Sequence, residues 1–156
     1  MAKVLLIGHA NGDEKGGSSG GRVGDQTGRE VCVQQWYSSG TGWNVVLRPK
    51  DSGLADRMAT ICEWLCASNL VGYDQSQRNT LYNELEKLGW NYKKLTTKCE
   101  TDCSALMGTC AKAAGSNVER CYGNCCYTGN QVDLFMKTGD FIKLTDSKYL
   151  TSPNLL

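Results

Sequence analysis

The sequence holds a single histidine and only two prolines. No apolar run approaches the roughly 18 residues that a membrane-spanning helix needs, which excludes a helical anchor. The N-terminal stretch "MAKVLLIGHANGDE" turns polar at Gly8 and His9, too soon for a secretory h-region. The expectation is therefore a chain with no export address of its own. Charge of one sign is missing as well. Seventeen Lys and Arg stand against sixteen Asp and Glu, a net +1, so there is no electrostatic case for nucleic acid or a membrane surface as partner. Paired C-x2-C arms, the usual framework of a structural zinc site, are absent, and neither a metal nor a cofactor is expected. The scarcity of histidine weighs most, because an imidazole base has one candidate, His9.

Cysteine is plentiful by contrast. Nine in 156 residues cannot all pair internally, so at least one is free even if the others are bridged. With no signal peptide the default is reduced thiols. Cys62 and Cys66, Cys99 and Cys103, and Cys121 and Cys125 are each one helical turn apart where the segment is helical, and most are expected to be small buried residues. Hydrophobic residues make up 40% and charged residues 21%, ordinary for a globular domain that buries a core without staples. No repeat or linker divides residues 1–156, so one domain is expected.

"KVLLIG" reads as a buried strand, and the glycine-rich stretch 11–28 as a surface loop. Two β-branched and aromatic runs around "SSGTG", ending at Pro49, predict a β-hairpin over 29–50. From Asp51 the period changes: Leu54, Met58, Ile61 and Leu65 share one helical stripe, capped by Asp51 or Ser52. A second helix is expected from near Asp74, with Leu81, Leu85 and Leu88 inward and Gly89 as its C-cap. "SALMGTCAKAAG" predicts a helix stopped by Gly115, "SNVERCYGNCCYTGN" a turn-rich connection, "QVDLFMKTG" a short helix and "FIKLT" a strand. The fold class is α+β with helices in the majority.

Within this frame one thiol stands in a special position. Thr101 or Asp102 caps the helix, leaving Cys103 in its first turn, where unsatisfied N–H groups and the helix dipole favour the thiolate. The same amides are placed to hold an oxyanion, and the small neighbours Ser104 and Ala105 leave room for a substrate carbonyl. Cys99 precedes the helix and Cys110 lies two turns inside it, so neither shares this setting. A buried structural thiol is the other reading of Cys103.

"TDCSAL" followed by a small-residue helix resembles the nucleophile motif of NlpC/P60-type cysteine peptidases. The ordered blocks "GDQTGREV", "WYSSGTGWNVVLRPKD", "GYDQSQRNTLY", "CETDCSAL", "YTGN" and "LTDSKYLTS" resemble the catalytic domain of bacteriophage endolysins that cut Gram-positive peptidoglycan. The resemblance runs over residues 4–152. It implies a papain-like fold, with helices packed on a small, mainly antiparallel sheet. It also implies that Cys103 attacks an amide carbonyl in the wall's peptide stem and forms an acyl-enzyme that water hydrolyses. Tyr73 corresponds to the tyrosine that helps polarise the carbonyl, with a packing role as the alternative. Asp102 caps the helix beside the substrate, and Asp74 and Ser104 flank the same groove.

In most of that family the base follows the cysteine, on a strand opened by a segment like "TGDFIKL", yet no histidine follows Cys103. Two accounts stand open. The base lies on polypeptide outside this sequence, and the fold lacks C-terminal strands. Alternatively the domain is circularly permuted and His9 serves, with Asp25 or Gln26 orienting the imidazole, since a base must be adjacent in space rather than in sequence. Asp25, Gln26 and Thr27 line a substrate groove or are merely solvated.

The resemblance further implies residence in the host cytoplasm until holin pores open, peptidoglycan as the partner, and a wall-binding segment or subunit elsewhere. A non-catalytic wall-binding or assembly module of the same fold is one competing function, and a cysteine-rich redox or metal protein is another.

Overall fold

Asp51 sets the longest helix, its side chain accepting from the amides of Gly53 and Leu54, as an N-cap must. In the computed structural model, which describes residues 4–37, 43–119 and 126–146, this helix is α1 (Ser52–Cys66). The expected stripe faces inward: Leu54, Ile61 and Leu65 are buried and Met58 packs half-buried beside them. Burial of each such side chain contributes about 1.5–3 kcal/mol. Gly115, at φ +100°, follows the end of α3 (Cys103–Ala113) as the sequence predicts. The short helix α4 (Gln131–Lys137) and the strand β6 (Phe141–Leu144) also lie where expected.

The strands depart from expectation in their partners. The runs expected as a hairpin become β2 (Val31–Gln35) and β3 (Val46–Pro49), and they do not pair with each other. Instead β2 runs antiparallel to β1 (Leu6–Ala10), with Ala10 opposite Val31 and Leu6 opposite Gln35. β3 runs antiparallel to β6, with Val46 opposite Leu144 and Pro49 opposite Phe141. Alternation marks a strand, but not which strand it joins; the loop from Asn11 to Glu30 brings β2 back along β1. Its closing bond, Asn11 N to the Glu30 carbonyl, is 3.1 Å.

The second helix also begins later than expected. Asp74 accepts from the amides of Ser76 and Gln77, a local turn that competes with helix. Consequently β4 (Val71–Tyr73) precedes this turn, and α2 spans Thr80–Lys87. α2 forms the crossover that a parallel pair requires, leading through a 3-10 turn at Tyr92–Lys94 into β5 (Cys99–Thr101) beside β4. The architecture is α+β, as the sequence predicts, with three two-stranded ladders among the described residues, two antiparallel and one parallel. The core gathers Leu65 of α1, Leu81 and Leu85 of α2, and Ala105, Leu106 and Ala111 of α3, with Val31 and Val71 from the strands. The connection expected around "SSGTG", the Cys121–Cys125 pair and the residues from 147 on lie outside the described residues.

Candidate active site

The parallel ladder positions the candidate nucleophile. Tyr73 lies opposite Thr101, and the Asp74 amide donates to the Thr101 carbonyl at 3.0 Å, so the ends of β4 and β5 are held together. Asp102 follows in extended conformation as the N-cap of α3, one carboxylate oxygen accepting from Ala105 N at 2.8 Å. Its other oxygen meets Arg78 Nη1 at 2.8 Å, so a carboxylate only 5% exposed is both capped and paired. Cys103 is then the first residue of α3 and is exposed, the only exposed thiol among the seven described cysteines. The opening amides of any helix lack intrahelical acceptors, and here Asp102 takes that of Ala105.

Tyr73 is 6% exposed, and its hydroxyl accepts from Gln75 Nε2 at 2.9 Å. Burial raises the phenol above its ordinary value, and the neighbouring Cys103 and Asp102 charges add to the rise. On the other side of Cys103, Ser104 Oγ lies 3.9 Å from the thiol and 3.1 Å from Thr128 Oγ1. Cys126 donates its S–H to the Ser104 carbonyl, fixing the 126–128 segment against α3. Thr128 also borders an apolar groove of about 470 Å³, walled by Trp36, Trp43, Val46 and Phe135. Gln75, Arg78 and Thr128 were not singled out from the sequence. "GYDQSQR" carries the first two close behind Tyr73, but only the strand-turn-helix geometry brings Gln75 onto the Tyr73 hydroxyl and Arg78 onto Asp102.

The glycine-rich loop is pinned to the free edge of β4. Asp74 accepts from Gly20 N at 2.9 Å, Gln75 N donates to the Ser18 carbonyl at 2.9 Å, and Asp25 N donates to the Asn69 carbonyl at 3.0 Å. Glu30 accepts from Tyr73 N at 3.3 Å and Glu100 from Gly24 N at 2.9 Å. The approach is so close that a Cβ on Gly72 would lie 2.6 Å from the Gly24 carbonyl oxygen. Asp25 is consumed inside this loop, accepting from Thr27 N at 2.8 Å, Gly28 N at 2.6 Å and Glu30 N at 3.1 Å. Gln26 turns back likewise, its side-chain amide donating to the Gly24 carbonyl at 2.7 Å.

Carboxylates crowd beneath the loop. Burial pushes Glu100 up to about 7, and the charges of Glu30, Asp74 and Glu14 add to it. Glu30 is raised, first by burial, against hydrogen bonds from Gln26 and Tyr73 that oppose the rise. Burial would raise Asp74 as well, but bonds from Ser76, Gly20 and Gln77 outweigh it and hold that carboxyl below its ordinary value. Among the described residues, no group of three or more His, Cys, Asp or Glu side chains is arranged to hold a metal ion.

The structure thus gathers Cys103, Tyr73, Asp74, Asp102 and Ser104 around the start of α3. His9 is elsewhere. It lies in β1 opposite Cys32, its ring edge-on to Tyr37 with centroids 5.8 Å apart, and its backbone N–H reaches Cys66 on α1. Burial lowers the imidazole pKa. Among the described residues, no hydrogen bond or ring contact joins His9 to Cys103, Asp25 or Gln26.

A family model described as an endolysin-like domain matches residues 7–156. No curated protein matches the chain, and no solved structure does.

Proposed function

This chain belongs to the endolysin-like domain family, and from that premise we propose that it is a cysteine hydrolase of the peptide stem of Gram-positive peptidoglycan, acting in phage lysis. The observation that carries the reading is the placement of Cys103: exposed, at the first position of an 11-residue helix, beside a buried tyrosine and behind a capped aspartate. In this reading Cys103 Sγ attacks the scissile amide carbon. The tetrahedral oxyanion is held by the opening amides of α3 and by the Tyr73 hydroxyl. Because that hydroxyl accepts from Gln75, its own proton is left to donate toward the substrate oxygen. The amine leaves with a proton, and water then hydrolyses the acyl-enzyme.

Asp102 and Arg78 keep the helix start in place, and the loop pinned on β4 keeps Tyr73 in place. Ser104 holds Thr128, which borders the groove in which the peptide lies. Asp74 is buried and serves by tying Gly20 and Ser76 behind Tyr73 rather than by touching substrate. The thiol proton passes either to His9, the chain's one imidazole, or to a group outside this sequence. A papain-like, NlpC/P60-type ancestry belongs to this same reading, as do accumulation in the host cytoplasm and passage through holin pores to the wall.

Digestion of purified Gram-positive peptidoglycan, read by mass spectrometry of the new chain ends, tests it. Cys103→Ala is expected to lose at least about a thousandfold in rate while keeping its circular dichroism spectrum. Undiminished cleavage by that variant refutes the assignment. Parallel loss in His9→Ala assigns the base to this chain, and full activity there moves it elsewhere. The position of His9 on Tyr37 favours a second reading, a wall-binding module without catalysis, whose signature is binding to the wall with no new peptide ends.

A further inference from the structure

A second group of thiols lies away from Cys103. Cys62 and Cys66 occupy successive turns of α1, with their sulfurs 4.0 Å apart. Cys110 of α3 reaches Cys62 from the facing helix, and Cys32 of β2 lies near Cys66. Gly8 of β1 makes room for the cluster, since a Cβ there would overlap Cys62 Sγ. A cavity of about 250 Å³ opens onto the group, walled by Leu6, Val33, Met58 and Met107, and both Cys62 and Cys110 line it. Thiols that serve only as small apolar filler do not need to face a common cavity or to bond to one another.

Cys62 is the central thiol: hydrogen bonds from Cys110 and then from Cys66 lower its pKa, against the effect of burial. Cys66 moves the opposite way, raised by its bond to Cys62 and by burial. Geometry selects the partner. On one helix face, residues four apart keep their Cβ atoms about 5–6 Å apart, whereas a disulfide needs roughly 3.5–4.5 Å. Cys66 would have to unwind α1 to bond Cys62; Cys110, coming from another helix, is free of that constraint.

We propose that Cys62 is an oxidation site, reached by hydrogen peroxide through this cavity and closed by Cys110 into a disulfide that joins α1 to α3. In the first step the Cys62 thiolate attacks one peroxide oxygen and the O–O bond breaks. This gives Cys62 sulfenic acid, and the hydroxide released takes up the thiol's proton as water. In the second step the Cys110 sulfur attacks the sulfenic sulfur, the S–O bond breaks, and hydroxide leaves with the Cys110 proton as a second water. Two thiols and one peroxide become one disulfide and two waters. The link ties down the helix that begins at Cys103, so the oxidised form is expected to melt at a higher temperature than the reduced one.

The test treats the reduced, folded chain with a few equivalents of hydrogen peroxide, blocks remaining thiols under denaturing conditions and maps peptides by mass spectrometry. Cleavage after Glu63 separates Cys62 from Cys66. The expected result is a Cys62–Cys110 linked peptide, lighter by two hydrogens and absent after reduction. In Cys110→Ala, dimedone is expected to trap Cys62 as its sulfenic acid. If that variant does not fold, the wild-type map decides alone. A Cys62–Cys66 link, or an unmodified Cys62 in a sample whose Cys103 is oxidised, overturns the proposal. Neither result bears on wall cleavage, which is read separately through Cys103→Ala.

Discussion

Glu100→Gln isolates the buried carboxylates under the glycine loop. Glu100 is 1% exposed; one carboxyl oxygen accepts from Gly24 N at 2.9 Å and the other has no hydrogen-bond partner among the described residues. Its pKa is raised from 4.5 to about 7. A folded carboxyl that holds its proton more tightly than the unfolded one makes the folded state bind more protons between those values. Stability is then fully present below about pH 4.5 and is lost as the pH rises through about 7. Titrating alone, a displacement of that size is worth roughly 3 kcal/mol. Sharing the proton with Glu30 and Asp74 brings the expectation to about 1–2 kcal/mol between pH 5 and 8.

The amide variant keeps the acceptor for Gly24 and removes the charge. It is expected to gain about 1–2 kcal/mol over wild type at pH 8 and little at pH 5. His9 works the other way, because its lowered folded pKa makes stability rise as the pH climbs through the imidazole range. The informative quantity is therefore the difference between Glu100→Gln and wild type, in which His9 cancels. Urea denaturation at four pH values between 5 and 8 measures it. A difference that does not change with pH, or that favours wild type at pH 8, refutes the account of the cluster.

Gly72→Ala places a methyl group against the Gly24 carbonyl and Glu100, and is expected to cost about 1–3 kcal/mol by loosening the loop from β4, read as faster hydrogen exchange over residues 18–30. Asp51→Ala removes the cap of α1 and should lose about 1 kcal/mol in urea denaturation, recovered largely by Asp51→Ser. Arg78→Ala leaves the buried Asp102 carboxylate without its cation; a loss of about 1–3 kcal/mol is expected, with Arg78→Lys losing less. An unchanged midpoint in Arg78→Ala would show that solvent already serves Asp102.

Local patterns proved readable wherever a single element carries its own signal. The α1 stripe and a cap at Asp51 or Ser52, the Gly115 stop, α4 and β6 all follow from periodicity and capping chemistry that lie within a few residues. The later start of α2 was hidden because Asp74 suits a helix cap and an Asx turn equally well, and only its bonds to Ser76 and Gln77 decide between them. β5 was missed because "CET" is too short to alternate, and it exists as a strand because β4 lies beside it. The role of the glycine loop was likewise out of reach. Its glycines announce turns, but its docking depends on Glu30, Asp74 and Glu100, which come from three separate segments.

By itself the sequence determined the helices α1, α3 and α4 and the first-turn position of Cys103, with its cap narrowed to Thr101 or Asp102, since these rest on interactions between near neighbours. Only the tertiary structure decided which strands pair, that Tyr73 comes beside Cys103 and Arg78 onto Asp102, and that His9 packs on Tyr37. It also decided that Cys62 and Cys110, 48 residues apart, share one cavity. Such pairings depend on which surfaces of distant segments fit together when the core closes, and no local spacing records that.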